Sequence, residues 1–189
     1  FWTHRALWQL LFSGKFDKFP GLKYCVVECG SWWVGDLLWK ADVNFGASWK
    51  IKKMSSRMKG LLTKLPSEYF GDSVFIGAST MSRYEIRERH RNGIDALMWG
   101  TDYPHPEGSW PNTVHRLEND FQDVSIEDTR RLLGLNAIEC YDLDVEGLTT
   151  VANRIGPTPE KLNQDPALRT SPTAKRDARW WFDEYGIEW

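Results

Sequence analysis

Asp102 stands three residues beyond an apolar run, Ala96 to Trp99, and is followed at once by an imidazole, His105, and by two prolines, Pro104 and Pro106. The run has the length and bulk of a buried strand. Pro104 and Pro106 stop the ladder there, and Gly100 and Gly108 permit sharp turns. A carboxylate delivered at the C-terminal end of a strand lies where α/β proteins place their chemistry. The same residue type also caps turns by accepting from nearby backbone N–H groups, and the sequence leaves both roles open for Asp102. A second acid, Glu28, closes the run Lys23-Tyr24-Cys25-Val26-Val27 in the same way.

The elements that must carry these acids follow one rhythm. Thr3 is placed to cap a helix whose Ala6, Leu7, Leu10 and Leu11 recur at helical spacing until Ser13-Gly14. Pro20-Gly21 turns the chain into a strand over 23–28, since Val and Tyr favour extended backbone. Residues 32–43 then show three- and four-residue apolar spacing and predict a helix. Residues 44–64 read as an inserted loop or irregular helix with a basic solvated face, and Pro66 to Phe70 as a single helical turn. Val74 to Ala78 is the next strand, and Ser82 caps a helix over 83–91 with few apolar positions and a mostly wet face. Ile94 to Trp99 is the third strand. Trp110-Pro111 opens another helix with Pro in its first turn, ending near Asn119 or Asp120, and a last one starts after Ser125 and breaks or bends at Gly134. Strand followed by helix, repeated, predicts a parallel sheet with crossover connections.

Composition narrows the function classes. With 189 residues, 41% of them hydrophobic, the chain can bury a core, which excludes a disordered protein. A net charge of −2 with intermixed signs excludes a polyanion-binding stripe, so no nucleic-acid partner is expected. No apolar stretch reaches the ~18 residues of a membrane helix, and no secretory signal opens the chain, which predicts a soluble cytoplasmic protein without a membrane partner. Cys25, Cys29 and Cys140 form an odd set with no CxxC pair and read as reduced thiols. Cys25 and Cys29 would share one face of a regular strand, yet nothing nearby completes a zinc tetrad. After Gly156-Pro157 the chain becomes rich in Pro, Ser and Thr, and Trp180, Trp181, Phe182, Tyr185 and Trp189 predict a docking terminus.

Leu7 to Lys23, Pro66-Ser67-Glu68-Tyr69-Phe70, Met98 to Gly108 and Leu135-Asn136-Ala137 together resemble the C-terminal half of amidohydrolase-related (amidohydrolase 2) metal-dependent hydrolases, a group that includes aminocarboxymuconate-semialdehyde decarboxylase. The resemblance covers residues 4–145 and implies the C-terminal part of a (β/α)₈ TIM barrel, about strands six to eight, with 146–189 as a C-terminal extension. It implies a divalent metal, zinc, at the C-terminal strand ends. Asp102 matches the eighth-strand aspartate that binds the metal or takes a proton from its bound water. Glu28 falls at the sixth-strand end, where decarboxylases of the family present a histidine. That departure weakens the case for decarboxylation by the familiar route. His105 is placed to contact substrate or support the site, or only to bond its own loop. His4, His90 and His115 fall on helices and read as surface or packing residues.

By the same resemblance the first-strand metal pair and the fifth-strand histidine lie upstream of Phe1. The chain reads as a portion of a metal-dependent hydrolase or decarboxylase acting on a small carboxylated or amide-bearing substrate, inactive alone. Its expected partners are that small molecule and either a homo-oligomer or a chain supplying the N-terminal half. The competing reading is a non-catalytic, barrel-derived scaffold or oligomerisation protein.

Overall fold

The computed structural model describes residues 2–48 and 61–162. Helices α1 (Trp2–Leu11) and α2 (Lys15–Lys18) lead into β1 (Tyr24–Cys29), then α3 (Val34–Ser48), β2 (Val74–Ser79), α4 (Arg83–Arg87) and β3 (Leu97–Gly100). Beyond the sheet come α5 (Thr113–Asp120), α6 (Ile126–Arg130), a wide π turn (Arg131–Leu135), α7 (Asn136–Tyr141), α8 (Val145–Ile155) and α9 (Pro159–Leu162). The three strands pair in the order β1-β2-β3, and both pairs are parallel, as strand–helix–strand connections require.

Register divides the sheet into two faces. Val26, Ile76 and Leu97 are cross-strand neighbours on one of them. They bury against Leu7 and Leu11 of α1, Val34, Leu37 and Phe45 of α3, Ile86 of α4 and Leu117 of α5. Each such aliphatic side chain contributes roughly 1.5–3 kcal/mol on full burial. The opposite face carries Cys25 beside Phe75, and Val27 beside Gly77 and Met98. Its N-terminal part is covered by α7, which packs Ala137 and Cys140 onto Phe75, Met98 and Cys25. Asn136 anchors that helix: its side-chain amide donates to the carbonyls of Ile94 and Leu97, each at 2.7 Å.

A register shift between Val27 and Cys29 corrects one expectation. Cys25 and Cys29 do not share a face. Glu28 is the extra residue, with φ 58°, and it moves Cys29 beside Ala78 on the helix-packed side while Cys25 stays on the other.

Other boundaries shift as well. Helix α1 is already running at Thr3, so that residue is no cap. Helix α3 starts at Val34 and continues to Ser48, beyond the predicted end at Val43, because Phe45 finds a buried place in the core. The rest of the predicted basic loop, residues 49–60, lies outside the described residues, as does the aromatic terminus over 163–189. The third strand is shorter than expected, since Ile94–Ala96 forms a tight 3₁₀ turn before Leu97. Pro111 precedes α5, which starts at Thr113 with Asn112 at its cap position.

The largest correction concerns α4. Ser82 does cap it, accepting from the Glu85 amide at 3.3 Å, but the helix ends at Arg87 and is not wet. Arg83, Glu85 and Ile86 are buried. A hydrophobic count misses this, because two of the three buried side chains are ionic and reach burial through specific partners. Among the described residues no helix is long and apolar enough to cross a membrane.

Candidate functional site

All three strands run toward one edge, and the backbone is unusual at the end of each. Glu28 at β1, Thr80 just past β2 and Asp102 just past β3 have φ of 58°, 45° and 60°, a left-handed conformation that costs non-glycine residues energy. Such backbone persists only where surrounding bonds hold it, and it clusters at functional sites. Here the holding bonds are visible. The Glu85 carboxylate accepts from the Ser31 amide and, at 3.1 Å, from the Ser31 hydroxyl, pinning the loop after β1. Its other oxygen accepts from the Ser82 amide and hydroxyl, both at 2.9 Å, pinning the loop after β2. Arg116 of α5 donates to the Thr80 carbonyl at 2.9 Å.

The loop after β3 closes on itself. The Ser109 amide donates to the Thr101 carbonyl at 2.9 Å, so nine residues leave and return at one point. Inside it the His105 amide donates to the Asp102 carbonyl at 2.8 Å and the Gly108 amide to the His105 carbonyl at 3.0 Å. The turn-forming acceptor is therefore the Asp102 backbone, and its carboxylate faces the His105 ring. Gly108 makes this closure possible: a β-carbon there would lie 2.8 Å from the Thr101 carbonyl oxygen and 2.9 Å from that of His105.

Folding thus collects Glu28, Asp102 and His105, whose ligating atoms all lie within 4.8 Å of one another. His105 Nδ1 is 3.5 Å from Glu28 Oε1, 3.6 Å from Asp102 Oδ2 and 3.8 Å from Glu107 Oε1. Asp102 is the most enclosed of the set, its side chain 13% exposed against 62% for Glu28 and 49% for His105. Sequence reasoning did not single out Glu107, although its place two residues after His105 in a proline-bounded loop was the available signal. Tyr103 and Trp110, exposed at the rim, meet edge to face at 5.8 Å between ring centroids.

Three carboxylates around one imidazole leave an excess of negative charge, which a divalent cation would offset, and oxygen plus imidazole nitrogen is a donor set suited to such ions. The arrangement also suits proton transfer, because an imidazole between carboxylates can receive a proton at one atom and yield it to another.

The remaining histidines lie elsewhere. His4 stacks on Trp33 with centroids 3.7 Å apart, and burial first, then the N-terminal charge, lowers its pKa. His90 sits 3.1 Å from Asp128, and His115 is exposed on α5.

Known proteins give this geometry a context. A family model described as amidohydrolase matches residues 3–143. The chain belongs to the amidohydrolase family. Among solved structures it is similar to 5-carboxyvanillate decarboxylase from Sphingomonas paucimobilis, with 23% sequence identity and a TM-score of 0.55 over 75% of this chain. The match spans 40% of the decarboxylase chain. No curated protein sequence matches at a significant level. The parallel sheet and its helices are thus consistent with part of a TIM-barrel-like amidohydrolase fold, with Glu28, Asp102 and His105 on the C-terminal strand edge.

Proposed function

We propose that the chain is the C-terminal portion of a metal-dependent hydrolase or decarboxylase acting on a small carboxylated or amide-bearing molecule. The observation that supports this most is the convergence of Glu28 with Asp102 and His105, on a loop more than seventy residues further along the chain, at one strand edge. Asp102 is the residue assigned to hold a divalent metal, zinc in the first instance, with Glu28 and His105 within reach of the same point. A catalytic zinc site takes three protein ligands and keeps one position open, and the remaining ligands would come from strands upstream of Phe1. When bound, such an ion supplies acidity to a coordinated water, bringing its pKa toward neutrality.

The chain's own groups then have definable tasks. Asp102, enclosed by the 101–109 loop, accepts a proton at its carboxylate. His105 Nδ1, facing Asp102 and Glu28, carries that proton outward, and exposed Glu107 keeps a negative charge beside the ring. Glu28 acts as a second proton acceptor or pairs with a cation, roles that suit hydrolysis at least as well as decarboxylation.

A complete site also needs further polypeptide, a homo-oligomer or a chain carrying the N-terminal half. Exposed Val145, Leu148, Val151 and Ile155, at helical spacing on α8, support assembly of this kind.

The test is made on the polypeptide that includes the upstream strands. Titration with zinc or manganese is expected to show stoichiometric uptake there and only weak binding by residues 1–189 alone. Asp102→Asn is expected to lower turnover by a factor on the order of a hundred or more, the scale of lost acid–base catalysis. Tight uptake by the isolated chain would remove the need for upstream ligands, and unchanged turnover in the variant would remove Asp102 from the mechanism.

A further inference from the structure

At the opposite end of the sheet, Cys25 on β1 meets α7. Cys140 of that helix is buried, and the half-buried Cys25 packs against the same small cluster. The hydroxyl of the next residue, Tyr141, donates to Cys25 Sγ at 3.6 Å. Lys23 lies two residues before Cys25, bonded through Nζ to the Glu139 carbonyl and seated 5.5 Å above the Phe75 ring. Cys25 thus has a hydroxyl donor on its sulfur and packs in one cluster with a second thiol, and the Lys23 ammonium acts on that second thiol. A partly exposed cysteine with donors and positive charge around it is the environment in which thiolates react. Cys29, close in sequence, is no competitor, because the bulge at Glu28 sends it to the other face of the sheet.

We propose that Cys25 and Cys140 form a thiol pair that closes to a disulfide on exposure to a small-molecule disulfide such as oxidised glutathione, with Cys25 as the attacking and Cys140 as the resolving sulfur. In the first step the Cys25 thiolate, its proton lost to water, attacks one sulfur of the reagent. The reagent's S–S bond breaks, and one glutathione thiolate leaves and is protonated. In the second step Cys140 gives its proton to water and attacks Cys25 Sγ, expelling the second glutathione. Two protein thiols are oxidised and one glutathione disulfide is reduced to two thiols. Burial raises the pKa of the Cys140 thiol, so the second step quickens as pH rises. The bond would tie α7, the cover of the sheet's N-terminal part, to β1. The inference does not rest on the proposed metal chemistry, which lies at the other strand ends.

The test uses the full 189-residue chain, folded as judged by circular dichroism, treated with oxidised glutathione at pH 8, alkylated and digested without reductant. Mass spectrometry is expected to find a peptide pair joined through Cys25 and Cys140 that disappears with dithiothreitol, persists in Cys29→Ser and is lost in Cys25→Ser. In guanidinium the preference should reverse toward Cys25–Cys29 by about tenfold or more, since the shorter loop closes more easily in an unfolded chain. Tyr141→Phe, which keeps all three thiols, is expected to slow formation of the bond several-fold at fixed pH. Oxidation of the folded chain that stops at a glutathione adduct on Cys25, or that joins Cys25 to Cys29, would overturn the proposal.

Discussion

Gly108 shows how much of the site depends on one small residue. Three backbone carbonyl oxygens, of Thr101, His105 and Asp102, surround the place where its β-carbon would be, at 2.8, 2.9 and 3.1 Å. No flexible side chain can move aside, so Gly108→Ala must displace backbone that also carries Asp102 and His105. Overpacking of this kind costs about 1–3 kcal/mol. The variant is expected to melt several degrees lower, and His105 should shift away from Asp102, which the imidazole resonances would report by NMR. Asp102→Asn is the complementary change: it keeps the shape and removes the charge, so its effect belongs to turnover and metal affinity.

At the scale of the element, α4 matters through its N-terminus. Glu85 is buried and accepts from Ser31 with one oxygen and Ser82 with the other, joining the loops that follow β1 and β2. Bonds to an ionised acceptor contribute about 1.5–3 kcal/mol each, more than neutral ones. Glu85→Gln turns one acceptor oxygen into a donor that faces donors, so a loss of about 3 kcal/mol or more is expected in urea unfolding. Glu85→Ala is expected to cost at least as much. If either variant unfolded at the parent's urea midpoint, the two loops would be held by other contacts. Helix α7 makes the parallel case at the other sheet end, where one Asn136 amide donates to the carbonyls of both Ile94 and Leu97 and ties the helix to the start of β3.

Across the whole molecule, a buried ionic layer lies between α4 and α5. Arg83 donates to the Asn119 carbonyl at 2.6 Å and to Asp123 at 2.9 Å, and Arg116 lies 3.4 Å from Asp120. Burial pushes the Asp120 carboxyl up to about 6, against the opposing pull of Arg116, Asn119 and Arg83. A carboxyl raised in the folded state adds stability that is full below its unfolded pKa, 3.8, and is lost as pH rises through about 6. The component is on the order of 3 kcal/mol at about 1.4 kcal/mol per unit. Asp120→Asn cannot titrate, and its amide oxygen can still accept from the Asn119 side chain, which donates to Asp120 at 3.1 Å. The change in unfolding free energy between pH 4 and 7 should therefore shift in the variant's favour at the higher pH. An identical pH dependence in parent and variant would show that Asp120 ionises normally.

The sequence alone determined a good deal of this. Alternation of apolar runs with helical spacing gave strand, helix and parallel pairing, because burial demands periodicity whatever the neighbours are. Glycine and proline after Trp99 marked where β3 stops and a loop begins, and the acids Glu28 and Asp102 could be read at their strand ends from chain position. Tertiary structure decided the rest. Only the pairing register could show that Glu28 is an extra residue that throws Cys29 to the opposite face from Cys25, since a bulge is a property of two strands together. Burial of Arg83, Glu85, Arg116 and Asp120 was likewise invisible, because hydropathy predicts water for charges and only a partner on another element reverses that. The distance from Glu28 to Asp102 is 74 residues along the chain and a few ångströms in space. Sequence placed an acid at each of two strand ends, and the sheet brought them to one point.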